Sequence, residues 1–112
     1  MREDGKLDYL ELPGGDLPAS KAFYGAAFGW KVLDYGPEYA AFDEGLDGGF
    51  DAQGDAVRTP LPVLFARDLE AMLARVEAAG GTIVKPVFAF PGGRRFHFRD
   101  PAGNELAVWS ET

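Results

Sequence analysis

The start of the chain alternates apolar and polar positions and then changes to a helical pattern. Residues 6–12 place Leu7, Tyr9 and Glu11 on one side of a predicted β-strand. Asp16 then supplies a typical helix N-cap, and Gly29 follows the helix at a position that favours left-handed backbone. Three further strands are predicted over residues 30–35, 39–42 and 50–53, with turns at 36–37 and 45–49.

The same order of elements recurs 52 residues later. Eight of the 17 positions from 16 to 32 are identical at this offset, including the pairs Asp16/Asp68 and Gly29/Gly81. Two unrelated helices with common caps are the alternative explanation. The second half predicts a strand at 61–65, a helix that begins after Asp68, and strands at 82–84, 94–99 and 105–109. Residues 85–93 are predicted to be irregular, and residues 54–60 to form a linker.

These patterns predict an α+β fold built from two βαβββ modules, over about residues 1–53 and 61–112, within a single domain. In each module a helix covers one face of the strands and leaves the other face without a partner. Two curved sheets that meet through such faces leave a concave space, where small molecules tend to bind. We therefore expect a small-molecule ligand in a cleft between the sheets.

Composition and charge narrow the classes of partner. The chain has 112 residues, of which 46% are apolar, so it matches one globular domain. Its 11 basic and 18 acidic residues give a net charge of −7, which argues against nucleic acid and anionic membranes as partners. Cysteine is absent, and no apolar stretch approaches the ~20 residues of a membrane span. Together with a polar start of the chain, this predicts a cytoplasmic protein.

Two motifs resemble a known superfamily. The string Asp-Leu-Pro-Ala-Ser-Lys-Ala-Phe-Tyr at 16–24, followed by Phe-Gly-Trp at 28–30, resembles the first module of the vicinal oxygen chelate superfamily. Phe-Arg-Asp-Pro-Ala-Gly-Asn at 98–104 is similar to its closing hairpin. That superfamily contains glyoxalase I, bleomycin-resistance proteins and extradiol dioxygenases, and the closest similarity is to its lactoylglutathione-lyase-related branch. The resemblance implies paired βαβββ modules in a cupped mixed sheet.

The resemblance also implies four places for metal ligands, on the first and last strands of each module. Tyr9 and Leu61 occupy the first-strand places, and Ala107 occupies the last-strand place of the second module. A loose alignment of the hairpins gives Asp51 for the fourth. Because two of the four are aliphatic, we expect no metal ligand and no other cofactor. A weak site for a hard cation, built from His97 with Glu11 and Glu105, is the alternative.

Three side chains are candidates for acid–base catalysis. Strand alternation places Glu11 beside Tyr9, and Glu105 beside Ala107 and Trp109, on the predicted inner faces. A carboxylate on an apolar face can serve as a general base, and His97, the only histidine, titrates near neutral pH. The alternative for each is a structural role, as an ion-pair partner or a solvated strand residue.

Five residues are candidates for substrate binding. Arg95 belongs to the densest cluster of positive charge in the chain, which is suited to an anionic ligand. The alternative is that these arginines pair with the surplus Asp and Glu side chains of the chain itself. The others are expected to line the cleft: Tyr9, Phe42, Phe98 and Trp109. The segment 85–93 carries two Phe between prolines and is interpreted as a lid, a dimer contact or a rigid connection.

Three functions follow as hypotheses. The first is a metal-independent protein of the glyoxalase and bleomycin-resistance type that binds a small, anionic metabolite. The second is a lyase or isomerase that uses Glu11, Glu105 or His97 as acid–base groups. The third is a dimeric interaction module without a ligand. A homodimer is expected in each case, because symmetric dimers are the common way for such modules to pair.

Overall fold

The computed structural model describes residues 2–53 and 59–112, so most of the predicted linker lies outside the described residues. The two helices are Leu17–Phe28 (α1) and Leu69–Ala78 (α2). The strands are Leu7–Pro13 (β1), Leu33–Asp34 (β2), Tyr39–Asp43 (β3), Asp47–Asp51 (β4), Leu61–Phe65 (β5), Thr82–Phe90 (β6), Gly93–Arg99 (β7) and Glu105–Ser110 (β8). The order β1-α1-β2-β3-β4, then β5-α2-β6-β7-β8, confirms the α+β class with two βαβββ modules.

Contacts divide the chain into two compact units. The first unit contains Tyr9–Leu61, and the second contains Pro62–Thr112 together with the residues before Tyr9. The early residues join the second unit through β5, because the Gly5 amide donates to the Phe65 carbonyl at 2.8 Å and the Phe65 amide donates to the Lys6 carbonyl at 3.1 Å. None of the helices in the described residues is long and apolar enough to cross a membrane.

The first unit orders its strands as β2-β3-β4-β1, with β1 parallel to β4 and the other neighbours antiparallel. Even-numbered residues of β3 and β4 turn towards α1, where Leu17 packs against Phe42 and Phe50. Trp30 lies 4.8 Å from the ring centre of Phe42 and stacks on Tyr24. This aromatic cluster forms the core of the first unit.

The second unit orders its strands as β5-β8-β7-β6, and β5 runs parallel to β8. Phe96 and Val108 turn towards α2 and pack against its first residue, Leu69. Partly buried apolar side chains complete this core: Leu64, Met72, Leu73, Val76, Ile83, Val87 and Phe98. Both units therefore bury one strand face under a helix and leave the opposite face for other contacts.

Both predicted helix N-caps are confirmed. The Asp16 carboxylate accepts a hydrogen bond from the Ala19 amide at 3.1 Å, and Asp68 accepts from the Ala71 amide at the same distance. Gly29 closes α1 with φ of 73°, as its position predicts. The repeat of 52 residues therefore corresponds to a repeat of local structure.

Two strands predicted in the first half have other bounds in the structure. The strand predicted at 30–35 shrinks to β2, because Trp30 and Val32 pack into the core of the first unit instead of pairing. Asp47 to Gly49 belong to β4 although their sequence is typical of a turn. A Cβ at Gly48 would lie 2.6 Å from Cε1 of Phe42, so packing on the core requires a glycine inside this strand.

The segment predicted to be irregular, 85–93, mostly belongs to a strand. β6 continues to Phe90 and pairs with β7 through two register shifts, one between Ile83 and Lys85 and one between Lys85 and Phe88. Pro86 lies within the second shift and on the last strand of its unit, where a residue without an amide hydrogen is tolerated. The interrupted pairing explains why the sequence does not resemble a strand.

Candidate functional site

The first unit carries a polar cluster on the strand face opposite α1. Register places Glu11 of β1 beside Gly49 of β4, and Asp51 of β4 beside Tyr39 of β3. Tyr9 lies on the same face, because side chains two residues apart on a strand point the same way. We call these residues the Tyr39 face: Tyr9, Glu11, Tyr39, Gly49 and Asp51.

The hydroxyl groups of Tyr9 and Tyr39 form a short hydrogen bond across this face. Gly49 makes the bond possible, because a Cβ at this position would collide with the Tyr39 hydroxyl and would lie 2.6 Å from the Tyr9 hydroxyl. Glu11 lies next to them and is only 5% exposed. The result is a pair of phenols packed against the backbone of β4.

The surroundings keep Tyr39 protonated. Burial raises the pKa of Tyr39 well above its usual value, and the hydrogen bond with Tyr9 and the negative charges of Glu11 and Asp51 raise it further. A phenol in such a place acts as a hydrogen-bonding group and does not ionise near neutral pH. The Tyr39 face is therefore suited to hydroxyl and carbonyl groups and poorly suited to anions.

A second cluster lies in the second unit, on the strand face opposite α2. Register pairs His97 with Lys85 and Ala107, and pairs Arg95 with Phe88 and Trp109. We call these residues the His97 face: Lys85, Phe88, Phe90, Arg95, His97, Glu105, Ala107 and Trp109.

The imidazole of His97 is held by one carboxylate. Its Nδ1 lies 2.9 Å from Oε2 of Glu105, while Nε2 is buried and has no hydrogen-bond partner among the described residues. Burial lowers the pKa of His97 below its ordinary value, the hydrogen bond with Glu105 acts in the opposite direction, and the positive charges of Arg95 and Lys85 lower it further. The lowered pKa favours the neutral imidazole, which has a proton on one nitrogen and a lone pair on the other.

Aromatic rings flank the guanidinium group of Arg95. Its Cζ lies 5.5 Å from the ring centre of Phe88 and 5.7 Å from that of Phe90. Trp109 packs 6.2 Å from Phe90, and its indole nitrogen donates to Asp8 at 2.9 Å. Half-buried rings beside a permanent positive charge form a surface that can bind an aromatic group and an anion together.

The structure divides the sequence-predicted site residues between the two faces and the cores. His97, Glu105, Arg95 and Trp109 lie together on the His97 face, and the candidates Tyr9 and Glu11 lie on the Tyr39 face.

Phe42 and Phe98 are placed differently from the sequence-based prediction. Both turn towards a helix, because they lie one residue out of phase with the inward face, and they pack in the hydrophobic cores. Their predicted place on a cleft wall is therefore wrong.

Sequence reasoning missed Lys85 and four further members of these faces. Tyr39 and Gly49 are brought together by the pairing of β3 with β4, and the only signal in the sequence was a pair of glycines among strand-forming residues. Phe88 and Phe90 reach Arg95 because of the two register shifts in β6. The sequence marks these rings as unusual but does not assign them a partner.

The pairing of the strands also changes the residue assigned to the fourth place for a metal ligand, which the sequence analysis gave as Asp51. Glu11 pairs with Gly49, and 52 residues later Val63 pairs with Ala107, so Gly49 occupies in the first unit the place of Ala107 in the second. Asp51 corresponds instead to Trp109. Within residues 2–53 and 59–112, no three His, Asp or Glu side chains lie where they could hold a metal ion. This set of side chains does not fit a divalent transition metal, which needs three or four protein ligands.

Comparisons with solved structures agree with this fold. A glyoxalase from Novosphingobium aromaticivorans, described in its Mn(II)-bound form, is 27% identical with a TM-score of 0.68; the match covers 99% of this chain and 40% of that protein. A glyoxalase/bleomycin resistance protein/dioxygenase superfamily member from Vibrio splendidus 12B01 is 19% identical, with a TM-score of 0.72 and coverage of 94% and 99%. A methylmalonyl-CoA epimerase from Mycobacterium tuberculosis is 14% identical, with a TM-score of 0.71 and coverage of 100% and 91%.

The similarities below 25% identity establish the fold alone. Among curated proteins, no significant match to this sequence was found. The family comparison is more specific, because residues 6–108 match the Glyoxalase/Bleomycin resistance protein/Dioxygenase superfamily, which confirms the resemblance drawn from the two sequence motifs. The chain therefore belongs to the glyoxalase/bleomycin resistance protein/dioxygenase superfamily.

Proposed function

We propose that this protein binds a small carboxylate with an aromatic or apolar part on its His97 face, and that it does so without a metal ion. The observation that carries the proposal is the position of Arg95 against the rings of Phe88 and Phe90, with Trp109 beside them. A guanidinium group can bind a carboxylate through two parallel hydrogen bonds, and the rings offer apolar area for the remainder of the ligand.

The charge of the chain supports an anion at this place in particular. The net charge is −7, so an anion is repelled from most of the surface. On the His97 face, however, the two positive charges of Arg95 and Lys85 outnumber the one negative charge of Glu105. A carboxylate ligand is therefore attracted to this face and not to the Tyr39 face, where Glu11 and Asp51 lie.

Metal independence is part of the proposal and rests on the donor set. The first-strand places hold Tyr9 and Leu61, and the last-strand places hold Gly49 and Ala107. Three of these four side chains have no donor atom. Binding must then draw on the guanidinium group and the aromatic rings, which need no cation to recognise a carboxylate.

Isothermal titration with 3-phenylpropanoate tests the proposal, with 3-phenylpropanamide as the uncharged analogue. We expect saturable binding of the acid, and binding of the amide at least tenfold weaker, because the amide lacks the negative charge that pairs with Arg95. Arg95→Gln should weaken binding of the acid at least tenfold. Arg94→Gln is the matched control, since Arg94 is the neighbouring arginine but binds Glu70 on the other side of the strand.

Two results would contradict the proposal. One is equal affinity for the acid and the amide, which would show that the negative charge is not recognised. The other is an equal loss of affinity in the two arginine variants, which would place the ligand away from the His97 face. Circular dichroism of both variants checks that they remain folded.

A further inference from the structure

We propose that the outer face of α1 is an interaction surface that binds the same face of a second copy of this chain in an antiparallel, two-fold arrangement. The exposed residues from position 19 to the end of the helix form this surface, and we call it the Phe23 face: Ala19, Ala22, Phe23, Ala26, Ala27 and Phe28. It belongs to the first unit and the proposed ligand site to the second, so this inference is independent of the proposed function.

The Phe23 face is apolar although it is exposed to solvent. Phe23 and Phe28 are 58% and 64% exposed, and their ring centres lie 6.2 Å apart. Within the described range Leu17–Phe28, Lys21 is the only charged residue, and it is half-buried at the side of the helix, where it pairs with Asp34. A surface helix normally carries charged and polar residues on its outer face, and a helix that is apolar all round is normally covered. The composition of α1 is therefore that of a helix with a partner on its outer side.

The second helix of the same chain provides an internal comparison. At the offset of 52 residues, Pro18 corresponds to Glu70 and Phe23 to Arg75, and all four residues are exposed. Both helices cover a sheet in the same way, through a buried leucine at their first position. The fold itself therefore does not require an apolar outer face, and α2 has a charged one. We infer that the difference reflects a contact that α1 makes and α2 does not.

The shape of the Phe23 face is complementary to itself. The ring of Phe23 projects between small side chains, since Ala19, Ala22, Ala26 and Ala27 surround it on the helix surface. In an antiparallel pair of helices, the ring of each copy lies against the alanines of the other. Small residues allow the two helix axes to approach to about 8 Å. A contact that uses one patch twice about a two-fold axis closes after two copies, so it predicts a dimer and not a longer assembly.

The charges beside the Phe23 face favour a second copy over a strongly charged partner. Lys21 and Asp34 form an ion pair at 2.9 Å along the first half of the helix. After its end, the Glu44 carboxylate accepts a hydrogen bond from the Lys31 amide at 3.0 Å, so opposite charges again belong to neighbouring residues. The surroundings of the face are locally balanced even though the whole chain has a net charge of −7. The face therefore offers apolar contact without attracting a polycation.

The size of the face sets the expected strength of the dimer. A stable interface buries about 800 Å² on each partner. α1 has 12 residues and is therefore about 18 Å long and about 10 Å wide, which supplies only part of that area. We expect a reversible dimer with a dissociation constant in the micromolar range.

Sedimentation velocity of the full chain over a range of concentrations tests the inference. The wild-type protein should change from the 12.1 kDa monomer to twice that mass as its concentration rises. Ala22→Lys introduces a charge into the middle of the Phe23 face and should weaken the dimer at least tenfold. Ala74→Lys is the matched control, because it makes the same change at the equivalent exposed position of α2. It alters the net charge equally and should change the dissociation constant less than twofold. Circular dichroism checks that both variants are folded.

Salt distinguishes an apolar contact from an ionic one. Two copies that each carry a net charge of −7 repel one another, and an increase from about 50 mM to about 500 mM NaCl screens this repulsion. The dimer should therefore become stronger as salt is added. Dissociation by salt would show that ion pairs hold the copies together and would overturn the inference.

Crosslinking locates the contact without placing a charge in it. The chain has no cysteine, so Ala22→Cys and Ala74→Cys each carry a single thiol. A short bismaleimide should link two copies of Ala22→Cys and leave Ala74→Cys unlinked. This measurement decides the question if Ala22→Lys does not fold.

Two further results would overturn the inference. One is a wild-type protein that stays monomeric at about 1 mM, since its dissociation constant would then lie far above the micromolar range and the face would be left for a different kind of partner. The other is a dimer that both lysine substitutions weaken equally, or that both cysteine variants crosslink equally, because the contact would then not lie on α1. Neither result affects the binding of 3-phenylpropanoate, so the proposed function is tested separately.

Discussion

Gly49 supports the hydroxyl group of Tyr39 directly, with no side chain between the backbone of β4 and the phenol ring. A Cβ at this position would collide with Tyr39 and would lie 2.6 Å from the hydroxyl of Tyr9. Because Glu11 pairs with Gly49 across the strands, the same glycine also brings a buried carboxylate next to the two phenols. The absence of a side chain at Gly49 therefore allows Tyr9, Glu11 and Tyr39 to pack together on the Tyr39 face.

Replacement of Gly49 by alanine should destabilise the protein. The methyl group must displace two packed phenol rings, and overpacking of this kind costs about 1–3 kcal/mol. Urea unfolding measures the change. Gly25→Ala is the matched control within the same unit, because a Cβ there lies 3.7 Å from the nearest atom, in ordinary contact, and alanine is a better helix former. The control should be more stable by about 0.5–1 kcal/mol. A Gly49→Ala protein as stable as the wild type would contradict the packing described here.

Tyr39 should resist ionisation at high pH. Burial and the neighbouring Tyr9, Glu11 and Asp51 raise its pKa in the folded protein above that of the unfolded chain. The folded state therefore gains stability from the neutral phenol below the unfolded pKa of about 10, and loses it as the pH rises further. An absorbance titration at alkaline pH should show fewer than four tyrosines ionising before unfolding, and Tyr39→Phe should remove the late one. Normal ionisation of all four in the folded protein would be the contrary result.

His97 should make the protein less stable in mild acid. Its pKa is lowered by burial in the folded state, so the unfolded chain binds the proton more readily below its own pKa of about 6.5. This contribution to stability is complete above that pH and is lost as the pH falls towards the folded pKa. Unfolding free energies at pH 7.5 and 5.5 should therefore differ less in His97→Gln than in the wild type. Equal differences in the two proteins would count against a buried, neutral histidine.

Removal of metal ions should leave ligand binding unchanged. The places that the superfamily uses for metal ligands hold Tyr9, Leu61, Gly49 and Ala107, so the proposed binding of a carboxylate depends on Arg95 and not on a cation. Protein dialysed against EDTA should bind 3-phenylpropanoate within twofold of untreated protein, and added Mn²⁺ or Zn²⁺ should not restore or increase affinity. A tenfold loss after dialysis that Mn²⁺ reverses would show that a cation takes part.

Much of the fold could be predicted from local patterns. Asp16 and Asp68 act as helix N-caps in both halves, because a short carboxylate at the start of a helix lies next to amides that have no other hydrogen-bond partner. Alternation along β8 placed Glu105, Ala107 and Trp109 on one face, since a strand has only two faces. The single domain, the homodimer and the cytoplasmic location remain predictions.

The site was harder to predict because it depends on pairing between strands that are distant in sequence. Phe42 and Phe98 have the composition of a ligand pocket, but their phase along β3 and β7 turns them to the helices, and hydrophobicity alone does not reveal phase. Gly48 and Gly49 have the sequence of a turn. The aromatic rings that require their small size belong to β1 and β3, so nothing in the neighbouring sequence shows that these glycines lie in a strand. Contacts of this kind become visible only when the register is known.

The two irregularities in β6 determine which side chains reach Arg95. Each adds one residue to β6 relative to β7, and together they set Phe88 opposite Arg95. If β6 paired with β7 without the second irregularity, Val87 would lie opposite Arg95 and both aromatic rings would move away from the guanidinium group. The number and position of these irregularities therefore decide which side chains of β6 lie beside Arg95, which makes the pairing of β6 with β7 an informative feature when related sequences are compared.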